Sequence, residues 1–249
     1  IGELSGVLRE MTSALQERMD AIERFAADVS HEIKNPLTSL RSAVETAARV
    51  SDPDQQQKLM AIIQEDVQRL DRLITDISNA SRLDSELSRA EAETIDIASM
   101  LATLHEIYAA GDTDTEVALK ISGEPPFRVA AIEDRLVQVF RNLLQNAISF
   151  SPPSGRVTLH LVRRDSDIEI NVCDDGPGLP EGKLDAVFDR FYTERPKGEK
   201  FGTHSGLGLS ISKQIVEAHG GSIRAENRYA SDRTVRGARF IVRLPLSDN

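Results

Sequence analysis

Apolar residues in the first third of the chain recur at spacings of three and four, the period of a helix that buries one stripe. The first such stripe consists of Leu8, Met11, Leu15, Met19, Ile22, Ala26, Val29 and Ile33. Two successive spacings of four, from Met11 to Leu15 to Met19, interrupt the coiled-coil pattern and indicate a stutter, where a supercoil locally unwinds. The stutter is either an entry point for a rotational signal or a tolerated irregularity.

A turn at Ser51-Asp52-Pro53 ends this first helix near Val50. Asp52 is a candidate N-cap and Pro53 suits the first position of the next helix. A second apolar stripe then predicts an amphipathic helix to about Leu87. Because such an antiparallel helical hairpin has too small a core to fold alone, we expect two copies to form a dimeric four-helix bundle.

After about Glu91 the pattern changes to short alternating runs, and we place a domain boundary there. Strands are predicted at residues 95–97, 117–121, 127–132, 157–161, 168–172, 222–226 and 238–244. Helices are predicted at residues 98–110, 134–149 and 208–219. Strands and helices segregated in this way favour an α+β fold, in which helices cover one face of a single sheet.

Composition and charge narrow the classes of protein that fit. The chain has 249 residues and a formal net charge of -10, which argues against nucleic acid or an anionic membrane surface as its main partner. The single cysteine, Cys173, excludes a disulfide framework and a cysteine metal site. No apolar run reaches the length of a membrane span. Because Ile1 already lies in a helical pattern, we expect a fragment of a longer protein.

Three polar residues within the first helix do not fit a packing role. His31 is a nucleophile at neutral pH, and Glu32 beside it can accept a ring proton or orient the ring. Asn35 lies one turn later on the face of His31, where an amide can place a water. Pro36 removes a backbone donor and predicts a kink. An isolated His-Glu pair is more commonly a solvated helix face, so the remaining motifs decide the interpretation.

Two asparagines, Asn142 and Asn146, stand four residues apart opposite the apolar stripe of the helix predicted at 134–149. Amide oxygen is a suitable ligand for Mg²⁺ when phosphates supply the rest of the coordination shell. Asp174 follows a predicted strand and begins the run Asp-Asp-Gly-Pro-Gly. Its carboxylate is able to accept the amine of adenine, and Gly176 and Gly178 permit a close approach to a flat base. The same run is also typical of a tight turn.

A second glycine element, Ser205-Gly206-Leu207-Gly208, opens the next predicted helix. Free backbone N–H groups at such a helix start form an anion site suited to a triphosphate. The polar segment 189–205 between the two glycine elements is long enough to act as a lid over a site.

Taken together, these motifs resemble those of sensor histidine kinases. The run Ser-His-Glu-Ile-Lys-Asn-Pro-Leu at 30–37 resembles the phospho-acceptor H box. Residues 142–146 resemble the N box, 174–178 the G1 box, 188–192 the F box and 206–209 the G2 box. The resemblance implies a GHKL (Bergerat) type α/β sandwich for ATP behind the hairpin. It also implies an end of a HAMP-like segment at 1–20, a dimerisation and phosphotransfer domain at 21–90 and a catalytic ATP-binding domain at 91–249.

The resemblance also assigns roles to residues. His31 would attack the γ-phosphate of ATP with Glu32 as the base, and Asn35 would orient water for removing phosphate from the partner. Asn146 would hold Mg²⁺, while Asn142 would support the phosphates. The binding residues implied for the nucleotide are Asp174, Gly176, Gly178, Arg190, Tyr192, Ser205, Gly206, Leu207 and Gly208, with Asp174 reading adenine.

One position departs from the family pattern, which commonly has Lys-Tyr where this chain has Ser149 and Phe150. Phe150 is still able to stack on the base, whereas the charge of the lysine is missing. We expect Arg190, Lys197 or Lys200 to supply it. Residues 149–152, 191–196 and 205–221 resemble most the ChvG/ExoS branch of envelope-sensing kinases.

The expected function is ATP-dependent phosphorylation of His31, followed by transfer to an aspartate of a response regulator. We expect a homodimer, no nucleic acid partner, and membrane attachment only through segments outside this chain, at the cytoplasmic side of a bacterial inner membrane. Two alternatives share parts of the pattern: a GHKL ATPase clamp, and a dimeric scaffold that binds nucleotide without turnover. The H box argues against the clamp, and the intact His31-Glu32 pair argues against the scaffold.

Overall fold

A computed structural model describes residues 2–87, 92–111, 114–192 and 205–247. These described residues divide into two compact units, residues 2–77 together with Ser205, and all the others. The predicted lid residues Lys197 and Lys200 lie outside the described residues. Among the described helices, none combines the length and the hydropathy that a membrane crossing requires.

The first unit is built from two long helices, α1 (Gly2–Ala47) and α2 (Pro53–Leu87), of which α2 continues into the second unit. The predicted start of α2 is confirmed, since the Oδ1 atom of Asp52 accepts a bond of 3.1 Å from the backbone N–H of Asp54. α1 continues as one element through Pro36. It ends three residues before the predicted Val50, because residues 48 and 49 form the turn that reverses the chain.

The hairpin buries few large side chains in a single copy of the chain. Leu73 and Ala43 are buried. Many large apolar side chains on the two helices are exposed: Met11, Leu15, Met19, Ile22, Leu37, Val44, Met60, Ile62, Val67 and Ile74. A hairpin that leaves this much apolar surface uncovered lacks the burial needed to offset its conformational entropy.

The second unit combines strands and helices in two layers. Its strands are β1 (Glu93–Asp96), β2 (Glu116–Ser122), β3 (Arg128–Ala131), β4 (Arg156–Arg163), β5 (Asp167–Cys173), β6 (Ser222–Tyr229) and β7 (Val235–Pro245). Its helices are α3 (Ile97–Ala109), α4 (Glu133–Phe150) and α5 (Gly208–Ala218), with a 3₁₀ turn at Ala186–Phe188. Five strands form a mixed sheet in the order β2-β4-β5-β7-β6, in which only β2 and β4 run parallel, and β1 pairs with β3.

Alternation along the central strands separates the two faces of the sheet. Leu161, Ile170 and Val242 lie side by side in the register of β4, β5 and β7, and all three are fully buried. They belong to the face that carries the apolar core, to which α4 contributes Leu136, Val139, Phe140, Leu143, Leu144 and Ala147. The opposite face is polar, and there Glu169 on β5 pairs with Arg164 and Arg243. The predicted α+β fold is therefore confirmed, whereas the expectation of a single sheet is wrong, because β1 and β3 form a separate two-stranded sheet.

His219 joins the end of α5 to the start of α4. Its Nδ1 lies 2.7 Å from the carbonyl oxygen of Ile215, and its Nε2 accepts a bond of 3.0 Å from the backbone N–H of Ile132. This geometry requires the neutral ring with its proton on Nδ1. The ring therefore satisfies a helix-start donor and a helix-end acceptor at once.

Two predicted strand boundaries are wrong at the point where a helix begins. Ile97 was expected in the first strand but begins α3, because the Asp96 side chain accepts bonds from the backbone of Ala98 and Ser99 at 2.9 and 3.4 Å. The strand expected at 127–132 stops at Ala131, since Ile132 is the N-cap of α4. The 3₁₀ turn was not predicted, and its three residues are too few for a periodic signal.

Phe140 provides a test of the core beneath α4. It is fully buried, so Phe140→Ala should lower the free energy of unfolding of the second unit by about 3 to 5 kcal/mol. Urea titration followed by hydrogen exchange at β5 amides measures this quantity. The exposed Ile107 is a control, and Ile107→Ala should change it by about 0.5 kcal/mol or less. Equal effects of both substitutions would contradict the assigned core.

Candidate functional site

The first unit carries the reactive residues of the H box on α1. His31 and Asn35 are exposed, one turn apart on the same face of the helix, whereas Glu32 is half-buried. An exposed imidazole is accessible to a phosphate donor, and the residue next to it points toward the other helix of the hairpin. The three predicted residues are therefore brought to one part of the first unit.

Glu32 has a partner that the sequence motifs did not identify. The Nη2 atom of Arg69, on α2, donates to the Oε2 atom of Glu32 at 3.1 Å. This ion pair joins the two helices next to His31, with side-chain exposures of 12% for Arg69 and 23% for Glu32.

In the second unit, Asn142 connects α4 to the start of α5. Its Nδ2 donates to the carbonyl oxygen of Gly208 at 3.1 Å and to the hydroxyl of the buried Ser212 at 3.4 Å. Leu207 is the N-cap of α5, and no side chain in the described residues caps this end. The first N–H groups of α5 are therefore oriented as donors to an anion, which fits the predicted phosphate site.

Gly176 marks the closest approach between the G1 loop and the end of α4. A Cβ at Gly176 would lie 2.7 Å from the carbonyl oxygen of Phe150 and 2.9 Å from Oδ1 of Asp174. Phe150, at the end of α4, is half-buried, and Asn146 lies one turn before it. The predicted base-stacking and base-reading residues are thus adjacent in space.

Asp174 is anchored on both sides by backbone donors. Its Oδ1 accepts from the N–H of Gly176 at 2.8 Å and from the N–H of Ala238 on β7 at 3.0 Å. Both bonds fall on the same oxygen, which leaves Oδ2 as the acceptor for a ligand amine. Gly237 is required here, because a Cβ at this position would lie 1.9 Å from the Asp174 carbonyl oxygen.

Burial raises the pKa of Asp174 above its ordinary value of 3.8, although the two backbone bonds and Arg228 oppose this shift. Arg228 on β6 donates from Nη1 to the carbonyl oxygen of Asp174 and, at 3.2 Å, to Oδ1 of Asp175. The carboxyl group is therefore fixed in place, while its ionisation is costly because it is desolvated.

Gly178 turns the chain away from Asp174 with a φ of +78°, a conformation that favours glycine. The following residue, Leu179, is held by two bonds of 2.7 Å to the Asn227 side chain, one from its N–H and one to its carbonyl. Both predicted G1 glycines thus lie where a side chain would not fit, since a Cβ at Gly178 would lie 2.3 Å from Val235.

The F box lies beside the second glycine element. The N–H of Phe191 donates to the carbonyl oxygen of Gly206 at 2.9 Å, and Gly206 has a φ of +74°. Tyr192 is half-buried, with the Lys183 ammonium 5.9 Å from its ring centroid, while Arg190 is exposed. Ser205 is half-buried and directly precedes Gly206.

Sequence reasoning did not identify five residues that organise these sites: Arg69, Ser212, Asn227, Arg228 and Gly237. Each acts across a long sequence separation, for example 54 residues between Arg228 and Asp174. Gly237 alone carried a signal, because a glycine within a strand indicates a close backbone approach.

The fold and the site define an ATP-binding α/β sandwich that follows a helical hairpin with an exposed histidine. Two family models match the chain. Residues 131–248 match the histidine kinase-, DNA gyrase B- and HSP90-like ATPase family, and residues 21–86 match the His Kinase A (phospho-acceptor) domain.

Relatives and solved structures agree with these two matches. The chain is 51% identical to sensor protein ChvG of Rhizobium meliloti and 50% identical to ChvG of Agrobacterium fabrum, over 98% and 100% of its length. It spans less than half of these relatives, 44% and 43%.

Among solved structures, the mycobacterial sensor histidine kinase MprB is 31% identical, with a TM-score of 0.53 over 62% of this chain and 97% of that one. The histidine kinase ThkA in complex with the response regulator TrrA gives a TM-score of 0.70 at 25% identity, over 93% of this chain and 64% of that one. The chain belongs to the sensor histidine kinases, with both a phospho-acceptor and an ATPase domain.

Two glycines of the site provide a matched comparison. Gly176→Ala should lower the free energy of unfolding of the second unit by about 1 to 3 kcal/mol, because backbone atoms surround the new methyl group. At Gly208 the nearest atoms, in the Asn142 side chain, lie 3.6 Å away, so Gly208→Ala should be neutral or stabilising. Hydrogen exchange at β5 and β7 amides measures both, and similar losses in the two variants would contradict the close approach at Gly176.

Proposed function

We propose that the chain is the catalytic core of a two-component kinase that phosphorylates His31 from ATP and passes the phosphoryl group to an aspartate of a response regulator. The observation that carries this proposal is the exposed His31 beside a half-buried Glu32, in the same chain as the anchored Asp174. Removal of phosphate from the regulator, with water oriented by Asn35, is proposed for the same surface.

The transfer proceeds as follows. Nε2 of His31 forms a bond to the γ-phosphorus, the bond from that phosphorus to the bridging oxygen breaks, and ADP leaves with the electron pair. The proton on the other ring nitrogen, Nδ1, passes toward the carboxylate of Glu32, which keeps the ring neutral as it attacks. Holding the two reactants in line provides most of the acceleration in phosphoryl transfer.

Asp174 is proposed to select adenine. Its ionised Oδ2 accepts the exocyclic amine, whereas the carbonyl oxygen of guanine would be repelled. Phe150 is proposed to stack on the base, and Gly178 to allow its close approach, while Tyr192 lies beside the site.

The start of α5, with Ser205, Gly206, Leu207 and Gly208, is proposed to bind the phosphates. Asn142 supports this end of the helix through the Gly208 carbonyl. Because Lys197 and Lys200 lie outside the described residues, Arg190 is the described candidate for the charge that Ser149 lacks.

The donor set fits Mg²⁺ bound together with a nucleotide. Asn142 uses its Nδ2 toward α5, so its Oδ1 remains an acceptor, and the Asn146 amide lies one turn further. No group of three or more His, Cys, Asp or Glu able to hold a metal occurs in the described residues, so the proposed ion depends on phosphates for the rest of its shell. Mg²⁺ would neutralise charge on the β- and γ-phosphates, and Asn146 is proposed as its protein ligand.

The partners follow from the surfaces of the first unit. The exposed stripe that begins at Met11 is proposed to pair with a second copy, which buries both stripes in a four-helix bundle. The response regulator is proposed as the acceptor because ThkA, a structural relative, was solved with one. We propose that the chain is the cytoplasmic part of a bacterial inner-membrane sensor kinase of the ChvG type.

Asp174 makes adenine binding sensitive to pH. Burial raises the pKa of Asp174. As the pH falls, the ionised form that accepts the amine is therefore lost at a higher pH than it would be for an ordinary Asp. By linkage, ionisation of Asp174 lowers the stability of the folded state as the pH rises through this pKa. ATP affinity, measured by calorimetry between about pH 5 and 8, should decline toward acid.

The Asp174→Asn variant removes this titration, so its ATP affinity should be about tenfold weaker and nearly independent of pH. Asp165→Asn, at an exposed carboxylate in the turn between β4 and β5, is the control and should behave as the parent. A parent-like slope in Asp174→Asn would show that another group titrates.

Autophosphorylation with γ-labelled ATP and Mg²⁺ tests the proposed reaction directly. The parent should acquire acid-labile, base-stable label, and both His31→Ala and Asp174→Ala should lose it. The clamp and scaffold alternatives predict no such label, the former with ATP hydrolysis and the latter without. Label that survives in His31→Ala would exclude His31 as the acceptor.

A further inference from the structure

Arg69 forms a partly buried ion pair next to the proposed nucleophile. Its guanidinium lies 3.1 Å from the Oε2 atom of Glu32 and is only 12% exposed. For comparison, Arg41 and Glu45 on α1 are paired at 4.0 Å with exposures of 77% and 64%. The surface pair is of a kind that contributes little to stability. The Arg69–Glu32 pair is shorter and less exposed, so it restricts the Glu32 carboxylate more strongly.

The contacts of Arg69 are few for a buried arginine. Nη2 makes the bond to Glu32, while Nε is buried without a hydrogen-bond partner among the described residues. Oδ2 of Asp66, one turn earlier on α2, is likewise buried without a partner. Burying a guanidinium with an unsatisfied donor costs free energy, and an apolar pair of similar size would commonly be at least as stable. Stability alone therefore does not explain Arg69.

The geometry leaves one oxygen of Glu32 available. Arg69 takes Oε2 by a single bond, so Oε1 remains an acceptor. Because Glu32 directly follows His31 on the helix, a carboxylate held toward α2 at one oxygen can present its other oxygen to the imidazole. A carboxylate not held in this way would rotate among several rotamers and would meet the ring only part of the time.

We propose that Arg69 is a positioning residue that holds the Glu32 carboxylate through Oε2 and thereby presents Oε1 to the ring of His31 during autophosphorylation. This inference rests on the proposed function, because it requires Glu32 to receive the proton of His31. It assigns no contact between Arg69 and ATP. The guanidinium acts through Glu32, so the rate of phosphoryl transfer depends on it and the binding of ATP does not.

An ion pair at this place can in principle have the opposite effect on the rate of autophosphorylation. If the pair sequestered Glu32, Arg69 would be inhibitory, and its removal would accelerate phosphorylation. The single bond favours positioning, since a sequestered carboxylate would be expected to engage both of its oxygens in a bidentate pair.

The test measures kcat and KM for ATP in autophosphorylation of the 249-residue chain. Arg69→Gln should lower kcat by about tenfold or more, with KM for ATP unchanged, because proton acceptance is impaired and nucleotide binding is not. Arg69→Lys keeps the charge but not the planar fork, so it should recover part of the loss. Arg41→Gln makes the same chemical change at the exposed pair on α1 and should leave both constants at the parent values.

Dephosphorylation of the regulator provides a second readout, because it is assigned to Asn35 and needs no proton acceptor for His31. Arg69→Gln should reduce it far less than it reduces kcat of autophosphorylation. A faster kcat in Arg69→Gln would overturn the proposal in favour of sequestration. Equal losses in kcat, ATP affinity and dephosphorylation would also overturn it, in favour of a purely structural role.

Folding and the proposed function are controlled separately. Helix content by circular dichroism shows whether Arg69→Gln folds. If Arg69→Gln does not fold, kcat is measured for Arg69→Lys instead. A kcat of Arg69→Lys equal to that of the parent would contradict the proposal. A parent chain that binds ATP but acquires no label on His31 would disprove the proposed function itself. A parent and an Arg69→Gln variant that acquire label equally fast would instead disprove only the role of Arg69.

Discussion

The second unit depends on one carboxylate oxygen, which connects the end of β5 to β7 and to the loop that follows β5. Oδ1 of Asp174 accepts from Ala238 on β7 and from Gly176 in the loop that follows β5. Two backbone donors offset part of the desolvation of a carboxylate that is only 3% exposed. The carboxylate proposed to read the base is therefore held by backbone donors of β7 and of the loop, which fix its orientation. Arg228 reinforces this arrangement from β6.

The same requirement for close approach explains the glycines around the nucleotide site. Gly176 and Gly237 lie against backbone carbonyls at distances that no Cβ permits, while Gly178 and Gly206 adopt positive φ values. Gly208 has room for a methyl group, and its proposed role is at the helix start, where backbone N–H groups are able to donate to an anion. Gly237 and the glycines of the G1 and G2 motifs thus serve different physical purposes: close packing, positive φ and, at Gly208, access to backbone donors.

The first unit is organised in a different way, with little burial and with an ion pair that joins its two helices. α1 and α2 leave many apolar side chains exposed in a single copy, so pairing with a second copy is the proposed source of stability. Within this lightly packed hairpin, the Glu32–Arg69 pair is a specific contact between the two helices at the level of His31. In the proposed reaction His31 meets ATP and then a regulator, which requires it to remain exposed, as it is in the structure. The proposed role of Arg69 is to order Glu32, the neighbour of His31.

Much of this protein is determined by local sequence. Helical periodicity predicted both helices of the hairpin, and alternation predicted the strands, because each pattern depends on neighbours within a few residues. The H, N, G1, F and G2 motifs placed the candidate residues from His31 to Gly208 on the correct elements, since residue type and spacing follow from the chemistry of ATP.

The tertiary structure decided what lies between distant segments. The mixed strand order, the parallel pairing of β2 with β4, and the contacts of Arg69 and Arg228 all join residues far apart in the chain. No local pattern carries them, because an arginine on a helix or a strand looks the same whether it faces solvent or a buried carboxylate. Capping likewise moved the start of α3 to Ile97, where a side chain outcompeted the strand pattern. Periodicity predicts on which face of a helix or strand a residue lies. Only the packing of the whole chain determines which side chain or backbone group it contacts on that face.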